Sequence, residues 1–258
     1  PVDGSNPATD WQGLHTVDET ITLLNPENGW LQNCNSTPFT AAAEFSPKRE
    51  DYPVYMAPDA ESFRALHAVK VLTGVNDLTL DKLIEIAYDP YLTGFEQLIP
   101  GLVNAFDESG ESFADLAPAI DVLRAWDLNV SADSVAMSLA HFYATRYRAE
   151  GANPLNLANM EQINYFGTQS PNTERLQIFA ETVTGLIADF GRWDVPWGEI
   201  NRFQRLTGDI ELAFDDEAPS LPIAMASGRW GALASFGAQA YPNTKRIYGS
   251  SGNSFVAV

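Results

Sequence analysis

Positive charge is what this chain has least of. Its 15 Lys and Arg stand against 34 Asp and Glu, a formal net charge of −19 at pH 7. A nucleic-acid backbone or an anionic membrane surface asks for a basic face, so neither is an expected partner. No apolar run approaches the ~20 residues that span a bilayer, so membrane insertion is not expected either. The single cysteine, Cys34, excludes an internal disulfide and a cysteine-rich metal site. With no histidine near it in sequence, Cys34 is expected to pack as a small apolar group rather than to act as a nucleophile. The 3 histidines, His15, His67 and His141, form neither a His-Glu-x-x-His motif nor an i, i+4 pair, so no metal centre is expected. What remains is 258 residues with 45% hydrophobic and 19% charged side chains, enough for a globular chain with a substantial core.

The organising stretch is Asn25-Pro26-Glu27-Asn28-Gly29-Trp30-Leu31-Gln32-Asn33-Cys34-Asn35-Ser36-Thr37-Pro38-Phe39. A turn is followed by a short run of strand character, which Pro38 ends. Gln32, Asn33 and Asn35 place three amides between Trp30 and Phe39, so the segment is expected to be largely buried and its amides partnered. Two readings stand side by side. The amides tie a loop together, or one N–H is held ready for a substrate oxygen that becomes negative during acyl transfer. Upstream, Thr20-Ile21-Thr22-Leu23-Leu24 alternates as a short strand does, and His15 lies in a loop where a solvated or structural role is expected.

Beyond Pro58 the pattern turns helical. Expected helices run over 59–69 with Asp59 as cap, 79–88, 95–106, 113–126, 131–150 with Ser131 as cap, 173–190 ended by Gly191, and a short one over 197–205. Arg64 on the first of these reads from composition alone as a surface arginine paired with Glu61 or a neighbouring acid. Asp127 and Asp133 read as helix-boundary residues, Asp121 with Arg124 as a surface pair, and His141 as a core or boundary histidine rather than a ligand. From 209 onward, short apolar pieces alternate with Gly, Ser and Pro. Gly249-Ser250-Ser251-Gly252 is expected to be a turn entering a strand over 254–258, since a phosphate-cradling loop would carry a Lys and lead into a helix.

The order Asn-Pro-x-x-Gly-aromatic-apolar-x-x-x-Asn-x-x-Pro over 25–38 resembles the penicillin acylase family of N-terminal-nucleophile hydrolases. Its variant here is most similar to the branch containing the acyl-homoserine-lactone and lipopeptide acylases. Asp10-Trp11-Gln12-Gly13-Leu14, Leu123-Arg124-Ala125-Trp126-Asp127, Trp197-Gly198-Glu199-Ile200-Asn201-Arg202 and the glycine-rich 249–258 extend the resemblance along the chain. It implies an α+β fold, a portion of an αββα sandwich. The expected division is 1–57 as the loop and strand segment, 58–208 as the helical region, and 209–258 as the return into the β layers.

The resemblance also implies roles. Asn35 takes the place of the asparagine whose side chain forms half of the oxyanion hole, with Asn33 as the fallback, and Arg64 takes that of an arginine at the rim of the substrate cleft. The family's nucleophile, usually a serine that opens the β subunit, has no counterpart at Pro1, which has no hydroxyl or thiol to acylate. Both ends look cut, and the expectation is a piece of a longer polypeptide that is inactive alone. Its partners would be the remainder of the acylase, meaning the α subunit and the N-terminal part of β, together with a small acyl amide substrate, in a periplasmic or secreted setting. The family's structural calcium is possible in a full-length enzyme, but the matching loop near Pro53 to Asp59 is altered in length.

Overall fold

A computed structural model describes residues 2–157, 159–205, 208 and 213–252. The chain forms two compact units, Pro1–Glu61 and Ser62–Val258.

The first unit is built from turns. Single 3-10 turns cover Pro7–Thr9, Val17–Glu19, Pro38–Thr40, Ala43–Phe45 and Arg49–Asp51. Polar side chains cap several: Asn6 accepts from the Ala8 N–H, Thr37 from that of Phe39, and Thr16 with Glu19 forms a capping box. Neither 20–24 nor 30–35 is a strand, contrary to the sequence expectation. Alternation describes which way side chains point, whereas a strand exists only through a ladder partner, and these residues find none among the described residues of their unit.

The second unit carries the helices and the sheet. Helix α1 (Phe63–Leu72) is capped by Ser62 rather than Asp59, α2 (Leu80–Ala87) by Thr79, and α5 (Val135–Glu150) by Ser134 rather than Ser131. In the two corrected cases the cap is the hydroxyl whose following N–H groups can reach it. The remaining helices are α3 (Leu98–Ser109), α4 (Ala117–Arg124), α6 (Asn159–Thr168), α7 (Asn172–Phe190) and α8 (Trp197–Ile200). The helix expected over 113–126 begins instead at Ala117, with Pro118 in its first turn, after a 3-10 stretch Gly110–Leu116. Helix α7 stops at Gly191, whose φ of 77° is the left-handed conformation glycine supplies at a helix end. The sequence pattern does not predict helix α6, because its aromatic and amide residues give little 3.6-residue contrast.

Strands β1 (Asn201–Phe203), β2 (Leu221–Pro222), β3 (Phe236–Ala240) and β4 (Ile247–Gly252) form one mixed sheet in the order β2-β1-β4-β3. β1 runs parallel to β4 and antiparallel to β2, while β3 and β4 form an antiparallel hairpin with an irregularity at Gly237/Ala238. Gly249-Ser250-Ser251-Gly252 is therefore strand and not turn, since each residue has a neighbour in β3 or extends that ladder. The strand expected over 254–258 lies outside the described residues. Helices with a small mixed sheet make the unit α+β.

The core lies among α3, α5, α6 and α7. Leu98, Leu102, Tyr143, Tyr147, Phe166 and Phe179 are fully buried. Tyr143 meets Tyr147 and Phe179 edge to face at 5.5 and 5.7 Å, the geometry that ring quadrupoles favour. Among the described residues, no helix is long and apolar enough to cross a membrane.

Candidate functional site

The amide segment lies in the first unit. Gln32 is buried, whereas Asn33 and Asn35 are exposed and Cys34 is half-buried, so the expectation of a largely buried segment holds for one of the three amides. The Gln32 backbone N–H donates to the Ala41 carbonyl at 2.9 Å, and its side chain donates to that of Thr40 at 3.5 Å. Its Oε1 is buried with no protein partner among the described residues. Asn35 has φ 57°, in the left-handed region that asparagine tolerates better than most residues. Asn33 holds it there: its Oδ1 accepts the Asn35 backbone N–H at 2.8 Å, closing an Asx turn. The two asparagines thus have different jobs. Asn33 shapes the bend and Asn35 sits at its tip.

Beside the bend is an apolar cleft of about 330 Å³ lined by Ile21, Leu23, Leu31, Gln32, Asn33 and Pro38. Asn33, not Asn35, is the asparagine on its wall. This is a hydrogen-bonding edge next to a greasy recess, an arrangement suited to an acyl chain that ends in an amide.

The loop where the family resemblance would put calcium is occupied from within. Arg49 donates to the Met56 carbonyl at 2.6 Å, to that of Pro53 at 3.4 Å and to that of Val54, and its guanidinium lies 5.0 Å from the Phe39 ring centre. The carbonyls a divalent cation would use already serve a fixed positive charge, and no group of three or more acidic, His or Cys side chains placed to hold a metal ion stands among the described residues. These residues do not fit a calcium ion.

In the second unit Arg64 lies on α1, half-buried, with its side chain running along Gly228. A Cβ built on that glycine would lie 3.2 Å from Arg64 Cδ and 3.1 Å from Ser235 Oγ. Three residues on, His67 is fully buried. Its Nδ1 faces the Gly231 carbonyl at 2.7 Å and its Nε2 faces Asp89 Oδ1 at 3.0 Å, so α1 is pinned to the 228–231 turn and to the segment after α2. Nothing in the sequence marks this bridge, because its partners lie 22 and 164 residues away. Asn201, also fully buried, donates to the carbonyls of Ile223 and Met225 at 3.0 and 2.9 Å and holds that segment beside α8. Its signal was the Trp-Gly-x-apolar-x-Arg motif, in which it is the variable position.

The other candidates take structural places. Asp127 accepts the backbone and side-chain N–H groups of Asn129 at 3.0 and 2.9 Å, and those bonds hold its carboxyl below the usual range. Asp133 is exposed ahead of α5, Arg124 pairs with both Asp121 and Asp107, and His15 faces the Tyr55 hydroxyl at 2.7 Å. Asn35 and Arg64 belong to different units.

His141 lies against Trp197, Trp230 and Phe142, with the Trp230 indole N–H donating to its Nδ1 at 3.3 Å. Burial, and after it the charge of Arg229, hold it down at about 4 from 6.5. Between these values the unfolded chain takes a proton that the folded chain refuses, so stability is lost as pH falls from 6.5 towards 4. A shift of this size corresponds to at most ~3 kcal/mol. Urea melts across that window should be steeper in pH for the native protein than for H141Q, which keeps an acceptor for Trp230 but does not titrate. Equal slopes would remove His141 as the cause.

The family model described as penicillin amidase matches residues 1–258, and the chain belongs to that family. Membership implies hydrolysis of an amide bond by an acylase.

Proposed function

We propose that this chain supplies the oxyanion-side portion of an acylase whose nucleophile lies in polypeptide outside these residues, within an αββα N-terminal-nucleophile sandwich. The observation that carries the reading is the Asx turn of Asn33, which fixes Asn35 at the tip of a bend beside an apolar cleft. A serine hydroxyl in the rest of the enzyme attacks the acyl carbonyl, with that serine's own α-amine as base. The carbonyl oxygen becomes negative, and the Asn35 amide donates to it. The C–N bond breaks, the amine leaves with the proton, and water releases the acid from the acyl-enzyme. By the family resemblance, Arg64 takes the role of an arginine that meets the polar end of the substrate. The substrates are N-acylated small molecules such as acyl-homoserine lactones, acylated lipopeptides or β-lactams, met in the periplasm or outside the cell.

The rival reading is a non-catalytic helical binding module, in which the amide segment serves structure alone. The discriminating experiment offers the complete, correctly processed protein a panel of N-acyl amines of graded chain length and assays the freed amine. Turnover of at least one acylated amine is expected. A processed protein that releases amine from none of them would leave the binding module standing.

A further inference from the structure

We propose that the cleft between α3, α6 and α7 binds a small polar carboxylate on the guanidinium of Arg175. This does not rest on the hydrolase reading. Arg175 is only 6% exposed, yet no carboxylate pairs with it among the described residues. A buried charge without a counter-ion is costly, and what it does have is half a set of partners. Nε donates to Ser170 Oγ at 3.0 Å and Nη1 to the Gly101 carbonyl at 3.1 Å. The same Ser170 hydroxyl accepts from the Tyr147 hydroxyl and donates to the Phe166 carbonyl, both at 2.7 Å, so that side of the guanidinium is rigidly held. Nη2 makes no hydrogen bond among the described residues, and it is not among the fully buried unpartnered atoms. The unused end therefore reaches open space.

That space is a cleft of about 420 Å³ whose walls include Asn104, Thr168 and Asn172. Helix α7 opens on it with Pro171 at its cap position and no side-chain cap, and the N–H groups of residues 172–174 meet no acceptor among the described residues. A 19-residue helix thus directs its positive end and the Arg175 fork into one recess. Two acids oppose an anion there. Glu108 on the wall accepts from Asn172 Nδ2 at 2.9 Å, and Glu174 in the first turn of α7 accepts from the Ala152 N–H at 2.6 Å. Their presence selects a singly charged ligand over a dianion. The planar pair of N–H groups left on Nη1 and Nη2 matches the two oxygens of a carboxylate, and the polar walls leave room for a short hydroxylated or amidated substituent.

The test is calorimetric titration of the processed enzyme with glycolate, with its neutral amide glycolamide and with inorganic phosphate, at constant ionic strength. Saturable millimolar binding of glycolate is expected, with glycolamide at least tenfold weaker and phosphate weaker than glycolate. E108Q, which removes the like charge but keeps an acceptor for Asn172, should tighten glycolate several-fold. N104L, which fills the cleft without touching the Arg175 bonds, should abolish binding. Binding that is equal for glycolamide, tighter for phosphate, unchanged by both variants, or absent from the native enzyme would overturn the assignment.

Discussion

Replacing Asn35 by glycine in the complete, processed enzyme is expected to lower kcat by ~10²–10³, the loss that follows removal of one oxyanion donor, with KM changed far less. Glycine is the informative substitution because Asn35 sits at φ 57°. Alanine would add left-handed backbone strain to the loss of the amide, whereas glycine adopts that conformation freely. Asn35→Asp sharpens the reading, since it also tolerates the bend but offers the oxyanion a carboxylate in place of an N–H, so its loss should equal or exceed that of glycine. Asn33→Ala removes the Asx turn and leaves the Asn35 side chain in place, so a smaller fall is expected, as for a positioning residue. The measurement is a pre-steady-state burst with a chromogenic acyl amide. Full activity in Asn35→Gly with normal processing would sink the role. A larger loss in Asn33→Ala than in Asn35→Gly would transfer it to the residue on the cleft wall.

Gly101→Ala is expected to destabilise the helical unit by ~3 kcal/mol or more, at or beyond the upper end of what overpacking costs. A methyl there would stand 1.9 Å from the Gly167 carbonyl oxygen and 2.7 Å from its carbon, and these are backbone atoms of α6 that cannot swing aside. The reverse contact is equally tight, with a Cβ on Gly167 lying 2.5 Å from the Gln97 carbonyl. Alanine's helix propensity returns only ~1 kcal/mol, so the overlap wins. Gly185→Ala on α7 is the control, because the nearest atom to a methyl there is Arg146 Nη2 at 3.7 Å. It should be neutral or stabilising by up to ~1 kcal/mol. Urea denaturation of the two variants decides the matter, and a Gly101→Ala protein as stable as Gly185→Ala would show that α3 and α6 do not cross as closely as described.

The residues that could be picked out in advance are those whose job is local. Thr79 caps the helix that starts beside it, Gly191 ends the helix before it, and Asp127 bonds to Asn129 two residues on. The residues that escaped are those whose partners are remote. His67 reaches Gly231, Arg175 reaches Gly101, and Arg49 gathers the carbonyls of a loop whose composition gives no hint of it. The strand expectation for 30–35 failed for a related reason, since side-chain alternation is local and a ladder is not.

From its sequence alone this chain is strongly acidic and amide-punctuated, resembles an amide-hydrolase family and has a helical middle, because composition, caps and motif spacing act within a few residues. Only the tertiary structure decided that Asn33 shapes the bend, that Arg49 binds the carbonyls of its own loop, and that Arg175 stands buried at the mouth of α7 without a counter-ion among the described residues. Each of those depends on atoms brought together across long stretches of chain, and packing, not spacing, determines which polar groups are left unpaired.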